Sequence, residues 1–177
     1  MAAMEAALDR FDAGAPVALE EMVGRWRGSG YPTGHPFDGL LEAYGWYGKE
    51  VLSPEAVHPL LFRDHAGVPR PVNPGMAPFG LVRRAPLLAR LAGARQAFAA
   101  VRPLLWTSRF AARVRLLEHR GMVTAALVYD ALPVIDIFRR VDQDTLLGLM
   151  DMRGIGQPLF FLLRRDVAQQ DRLEPGE

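Results

Sequence analysis

Arg113 and Arg115 stand two residues apart in the run RVRLLEH, and Tyr129 and Asp130 close the next run, MVTAALVYD. If Arg120-Gly121 makes a two-residue hairpin turn, His119 pairs with Met122, Leu117 with Thr124, Arg115 with Ala126 and Arg113 with Val128. One face of the hairpin then carries Arg113, Arg115, His119, Thr124 and Asp130, and the other carries Val114, Leu116, Leu127 and Tyr129. A slip of one residue would exchange the faces. Two readings follow. In one, the polar face meets water and the apolar face the core. In the other, Arg113, Arg115 and Asp130 surround a lumen together with Asp136 or Asp151 from the following runs. An unpaired charge in a lumen loses several kcal/mol of solvation, so the arginines there would need those carboxylates or an anionic guest. A basic pair in an apolar cavity is suited to a carboxylate or phosphate head whose tail stays dry.

Other chemistry is sparse. Asp130, Asp136 and Asp151 include candidates for a general acid or base if one is desolvated. His35, His58, His65 and His119 lack ligand spacing, so no metal site is expected, and no motif specifies a cofactor. The chain has no cysteine, which removes thiolate nucleophiles, disulfides and Cys-based metal sites. No nucleophile elbow, phosphate loop or dinucleotide fingerprint occurs.

The elements that must position these residues are mostly strands. RVRLLEH, MVTAALVYD, VIDIFRR, TLLGLMDM and LFFLLRR are five β-rich runs, joined by RG, a break at Pro133, VDQD and RGIGQP. Such short links make antiparallel neighbours, a meander. GRWRGSG, Gly24 to Gly30, reads as a strand curving round its own indole, since glycine is kept where a backbone bends or packs closely. Runs at Lys49–Leu52 and Ala56–Phe62 bring the expected number of strands to about eight, and a sheet of that size most simply removes its edges by closing into an antiparallel barrel. Trp26 would plug one end of it. Helices are expected at Met4–Phe11, as one turn at Ala18–Met22, at Asp38–Tyr44 and at Pro86–Val101, where Leu87, Leu91, Ala94, Phe98 and Val101 share a face. GVPRPVNPGMAPFG holds four prolines and reads as a long ordered loop over a pocket.

The 177 residues suit one domain, in which segments 17–62, 63–109 and 110–165 play the parts just given. The amino-terminal stretch carries Glu5, Asp9 and Asp12 and lacks the pattern of a signal peptide, and no apolar run is long enough to span a membrane, so a cytoplasmic protein is expected. Charge is uneven. Ala66 to Leu117 holds nine arginines and no acidic residue, against net charges of −5 before it and −3 after it. That block either neutralises its acidic flanks or meets an anionic partner. All the basic residues except Lys49 are arginine, a codon-bias pattern. The basic stretch has no recognised nucleic-acid module, so nucleic acid is not expected as a partner.

GRWRG fits the pattern GXWXG, and YDALPVIDIFRRVDQDTLLGLMD resembles the carboxy-terminal domain of unknown function usually joined to GXWXG proteins in bacteria. The resemblance covers Val17–Phe62 and Phe110–Arg165 and implies a β-barrel of the calycin or nitrobindin kind, with no established activity. Lipocalins, fatty-acid-binding proteins and nitrobindins share the Gly–Trp pair. By analogy with nitrobindins haem is a candidate guest, although none of the four histidines sits in a telling context. Where many relatives have Asp-His-Phe this chain has Asp136-Ile137-Phe138, which removes any imidazole role there. The expected fold is mainly β, an antiparallel barrel with amino-terminal and inserted helices. The expected function is binding of a small, mainly apolar molecule with an acidic group, bordered by Trp26, Arg113, Arg115, Tyr129, Asp130, Asp136, Phe138 and Asp151. The rivals are an isomerase or hydrolase with an Asp/Tyr/Arg pocket, and an interaction module whose closed interior leaves the basic segment to dock a partner.

Overall fold

A computed structural model describes residues 2–76 and 90–167. Helix α1 (Ala2–Asp12) and a 3-10 turn (Glu20–Met22) precede β1 (Gly24–Gly30), the short α2 (Leu40–Ala43), β2 (Trp46–Ser53), β3 (Ala56–Arg63) and β4 (Pro69–Pro71). Helix α3 (Ala94–Val101) runs into a second 3-10 turn, after which come β5 (Ala112–His119), β6 (Met122–Tyr129), β7 (Val134–Asp142), β8 (Thr145–Met152) and β9 (Leu159–Arg165).

The strands form one antiparallel sheet in the order β2-β1-β9-β8-β7-β6-β5-β3-β4, and β2 also pairs with β3, so the sheet closes in a barrel-like ring. The GXWXG-type segment supplies β1 to β3 and the meander supplies β5 to β9. The hairpin at Arg120-Gly121 has the expected register, from His119↔Met122 to Arg113↔Val128. The seam is thin: β3 and β5 share one pair, Val57↔Ala112, backed by Ala111 N–H to Val57 O and Val114 N–H to Pro54 O.

Alternation in the strands divides the apolar side chains into two clusters. Trp26, Trp46, Leu127, Tyr129, Phe138, Phe161 and their neighbours fill the ring. Ala126, Ile137, Leu147, Leu149 and Phe160 face outward, and α1 covers them with Ala7 and Phe11. Trp26 is buried inside the ring and donates its indole N–H to Met22 O at 2.8 Å.

Two expectations change in the middle of the chain. The proline-rich stretch is not all loop: Pro69–Pro71 lies as an edge strand on β3, a position that asks little of prolines, and the rest of that stretch beyond Met76 lies outside the described residues. The helix expected from Pro86 begins at Ala94, with Gly93 before it at φ 87°, while residues 86–89 lie outside the described part. Leu91 and Val101 are exposed and Phe98 is half-buried against Tyr44 and Phe62.

Candidate functional site

The chain's single lysine lies inside the ring. Lys49 Nζ is 2.8 Å from Asp136 Oδ2, and it donates to Tyr129 Oη at 3.0 Å and to Pro59 O at 3.1 Å. Tyr129 in turn donates to Asp136 Oδ2 at 3.1 Å. All three side chains are buried, at 3%, 7% and 1% exposure for Lys49, Tyr129 and Asp136. Burial in the apolar interior, with Asp136 alongside, pushes the Tyr129 phenol well above its ordinary value, so it stays a neutral donor.

Local irregularity brings the lysine here. In a regular strand Trp46 and Lys49 would face opposite ways. The pairing of β2 with β3 shifts register between Trp46 and Gly48 and again between Gly48 and Glu50, so both side chains turn inward. Pro59, opposite the shift, has no N–H to give the ladder, and its carbonyl accepts from Lys49. Tyr129 ends β6, and Asp136 sits on β7 opposite Leu127, one pleat from Tyr129.

Aromatic rings wall the ammonium, with centroids 5.1 Å away for Phe161, 5.5 Å for Tyr129 and 5.7 Å for Trp46. These contacts recover part of the solvation lost on burial. Trp46 and Phe161 meet edge to face at 5.9 Å. Each lies over a glycine: a Cβ at Gly28 would enter the Trp46 ring, and one at Gly148 the Phe161 ring.

A cavity of about 30 Å³ adjoins this cluster, lined by Lys49, Tyr129, Asp136, Leu132, Met150 and other apolar side chains. That is room for about one water-sized group. A second pocket of about 160 Å³ lies towards α2 and is lined by Tyr31, Phe37, Asp38, Leu41, Phe160 and neighbours. Leu41, Trp46, Leu159 and Phe161 wall both. One polar atom of the buried cluster is uncommitted: Asp136 Oδ1 has no hydrogen-bond partner among the described residues.

Of the residues expected to border a guest, Trp26, Tyr129, Asp136 and Phe138 face the interior, and only Tyr129 and Asp136 line the inner cavity. Arg113, Arg115, Asp130 and Asp151 stand on the outside instead. Arg113 pairs with Asp130 at 2.9 Å, Arg115 with Glu55 at 2.7 Å, and Asp151 is exposed. The physical reason is the apolar parity of the hairpin, which turns Val114, Leu127 and Tyr129 inward and leaves the charges in water. Ile137 packs under α1 in the outer cluster and so points away from Lys49. Arginines of the central block reach carboxylates or carbonyls of the flanks, as in Arg70–Asp64 and Arg90 to the carbonyls of Pro36 and Asp38.

Lys49 was not foreseen as a site residue. Its signal was compositional, the one lysine in a chain whose other basic residues are all arginine, with the register-shifting glycine immediately before it.

Comparison with known proteins agrees with this architecture. A protein from Thermomonospora curvata, known from its crystal structure, is 28% identical over 94% of this chain and 99% of its own, with a TM-score of 0.65. None of the curated proteins matches the sequence. The family model described as "GXWXG protein" matches residues 9–67, the part that carries Trp26 and Lys49. The model described as "Domain of unknown function (DUF4334)" matches residues 110–165, the part that carries Tyr129 and Asp136. Both halves of the ring and both sides of its buried ion pair are thus matched: the chain carries a GXWXG-type segment at residues 9–67 followed by a DUF4334-type segment at residues 110–165.

Proposed function

We propose that this protein binds a small, mainly apolar molecule in the pocket beside α2, with an uncharged polar end directed to the Lys49–Tyr129–Asp136 cluster. The observation that carries the reading is Asp136 Oδ1, a buried oxygen with no protein donor among the described residues, on a side chain that lines the inner cavity. A buried acceptor left so costs about 1–3 kcal/mol unless a guest or water supplies a hydrogen. The lysine and aspartate charges cancel, and an acid would bring its own lone pairs against Oδ1. A hydroxyl therefore suits the site better than the carboxylate head expected from the arginines, which lie outside. The outer pocket, at about 160 Å³, compares with the cavity of about 150 Å³ that holds benzene in another protein.

Benzyl alcohol and benzoate test this. In calorimetric melting and titration of the full chain, the alcohol is expected to bind and raise Tm while benzoate does neither. Leu41→Trp, which fills the wall shared by the two cavities, should abolish the effect of the alcohol. Equal binding of both compounds, or of neither, would overturn the reading.

A further inference from the structure

The geometry points to Lys49 as an imine-forming nucleophile, so that the guests of this pocket include apolar aldehydes held covalently through Nζ. This rests on the binding reading above and names a substrate class for the same site. Lys49 is the chain's only side-chain amine. It is buried, with a carboxylate in contact that can take its proton, and desolvated lysines are ones that enzymes use as nucleophiles.

Its partners match the steps of imine formation. The ammonium passes one proton to Asp136 Oδ2, 2.8 Å away, and becomes a neutral amine. The nitrogen lone pair forms the N–C bond as the carbonyl π pair moves to oxygen. Once Oδ2 is protonated it is a weaker acceptor for Tyr129, whose O–H can then turn to the more basic developing alkoxide. Tyr129 gives that oxygen its proton and takes one from Nζ, 3.0 Å away, leaving a neutral carbinolamine. Asp136 returns its proton to the carbinolamine hydroxyl, which leaves as water while the nitrogen lone pair closes the C=N bond. Ammonium and aldehyde have become iminium and water, and Asp136 is again a carboxylate beside a cation. The phenol is held protonated by burial, so it is available as the acid. Trp46 and Phe161 wall the iminium as they wall the ammonium, and Oδ1, with no donor among the described residues, has a lone pair to offer the departing water.

The test uses the full-length protein with benzaldehyde and sodium cyanoborohydride, which reduces an imine to a stable benzylamine. Nα-acetyl-lysine amide is included as a reference amine, and the modified residue is located by peptide mass mapping. Lys49 is expected to be benzylated faster than the reference by roughly a hundredfold or more, the lower end of positioned acid–base help. Benzyl alcohol should compete, Lys49→Arg should carry no adduct at position 49, and Asp136→Asn should slow the labelling by a similar factor. Circular dichroism of each variant establishes that it is folded. Labelling of the reference or the amino-terminal amine without Lys49 overturns the proposal. If benzyl alcohol binds in that case, the pocket reading stands and the imine alone fails; if it does not bind, both fail.

Discussion

Each charge of the Lys49–Asp136 pair is held where water is excluded, so neither can lose its partner cheaply. Breaking a buried pair by removing one member costs about 3–5 kcal/mol, whereas replacing both by apolar groups of similar volume is often neutral or stabilising. Lys49→Met or Asp136→Leu alone is therefore expected to destabilise the fold by that amount in urea unfolding. The triple variant Lys49→Met, Tyr129→Phe, Asp136→Leu removes every polar partner together except the Pro59 carbonyl, and should recover most of the loss. Recovery would mean that the cluster is kept for chemistry; a triple variant as weak as the singles would mean that it holds the ring together. Two of the three residues were readable beforehand. Tyr129 falls with the apolar face of the hairpin and Asp136 is one of three candidate aspartates, both in β-runs of regular period, where parity decides facing. Lys49 was not, because the register shifts in β2 reset that parity, and such shifts come from a cross-strand pairing that local periodicity does not contain.

At the scale of elements, the segment between α1 and β1 does more than connect. Beyond Ala126↔Ile137 strands β6 and β7 diverge, and residues Ala15 to Val17 enter the gap. Ala15 bridges to Arg140, and Ala125 N–H donates to Val17 O. Thr124 joins the parts: its Oγ1 accepts from Val17 N–H at 2.9 Å and donates to Phe138 O at 2.7 Å. Thr124→Val keeps the shape and removes both bonds, leaving a buried N–H and C=O without that partner. A loss of about 1–3 kcal/mol is expected in denaturant unfolding, with earlier amide exchange at Val17 as its local signature. This wedge was not legible, since APV and VTAAL carry no sign of each other. The five strands of the meander were legible to within two residues at each end, and the two-residue turn to the residue, because their signals are local: alternation, Gly at the turn, Pro at the break. The α3 helix shows the converse. Among the described residues of the expected face, Leu91 before the helix and Val101 at its end are exposed while Phe98 packs against Tyr44 and Phe62, because a helical face says nothing of whether a partner surface is long enough to cover it.

For the molecule as a whole, the protonation of buried histidines ties stability to pH. His35 and His58 are buried, and burial lowers both below the usual histidine value, with neighbouring Asp38 and Glu50 respectively opposing it. His119 is lowered first by burial and then by the cations of Arg139 and Arg120, against weaker opposition from Asp151 and Asp12. In each case the folded state binds its proton less tightly than the unfolded chain, whose histidines titrate near the ordinary value of 6.5. The sign follows: this contribution is fully present above that value, declines as pH falls below it, and is gone once pH has passed through the lower folded values. The carboxylates act in the same sense further down. Asp12, held by Arg120, lies below its ordinary 3.8; so does Asp166, which burial pushes up but hydrogen bonds from Tyr47 and Arg27 pull down further. Stability should therefore fall monotonically on acidification, first in the histidine window and later in the carboxylate window. Urea midpoints measured from about pH 7.5 to about pH 5 isolate the first window, since the carboxylates stay ionised there. Replacing His119 by Gln should flatten that slope, and replacing His35 and His58 as well should nearly remove it. A midpoint that rises as pH falls, or a slope untouched by the triple replacement, would show that these imidazoles are not held neutral by the fold.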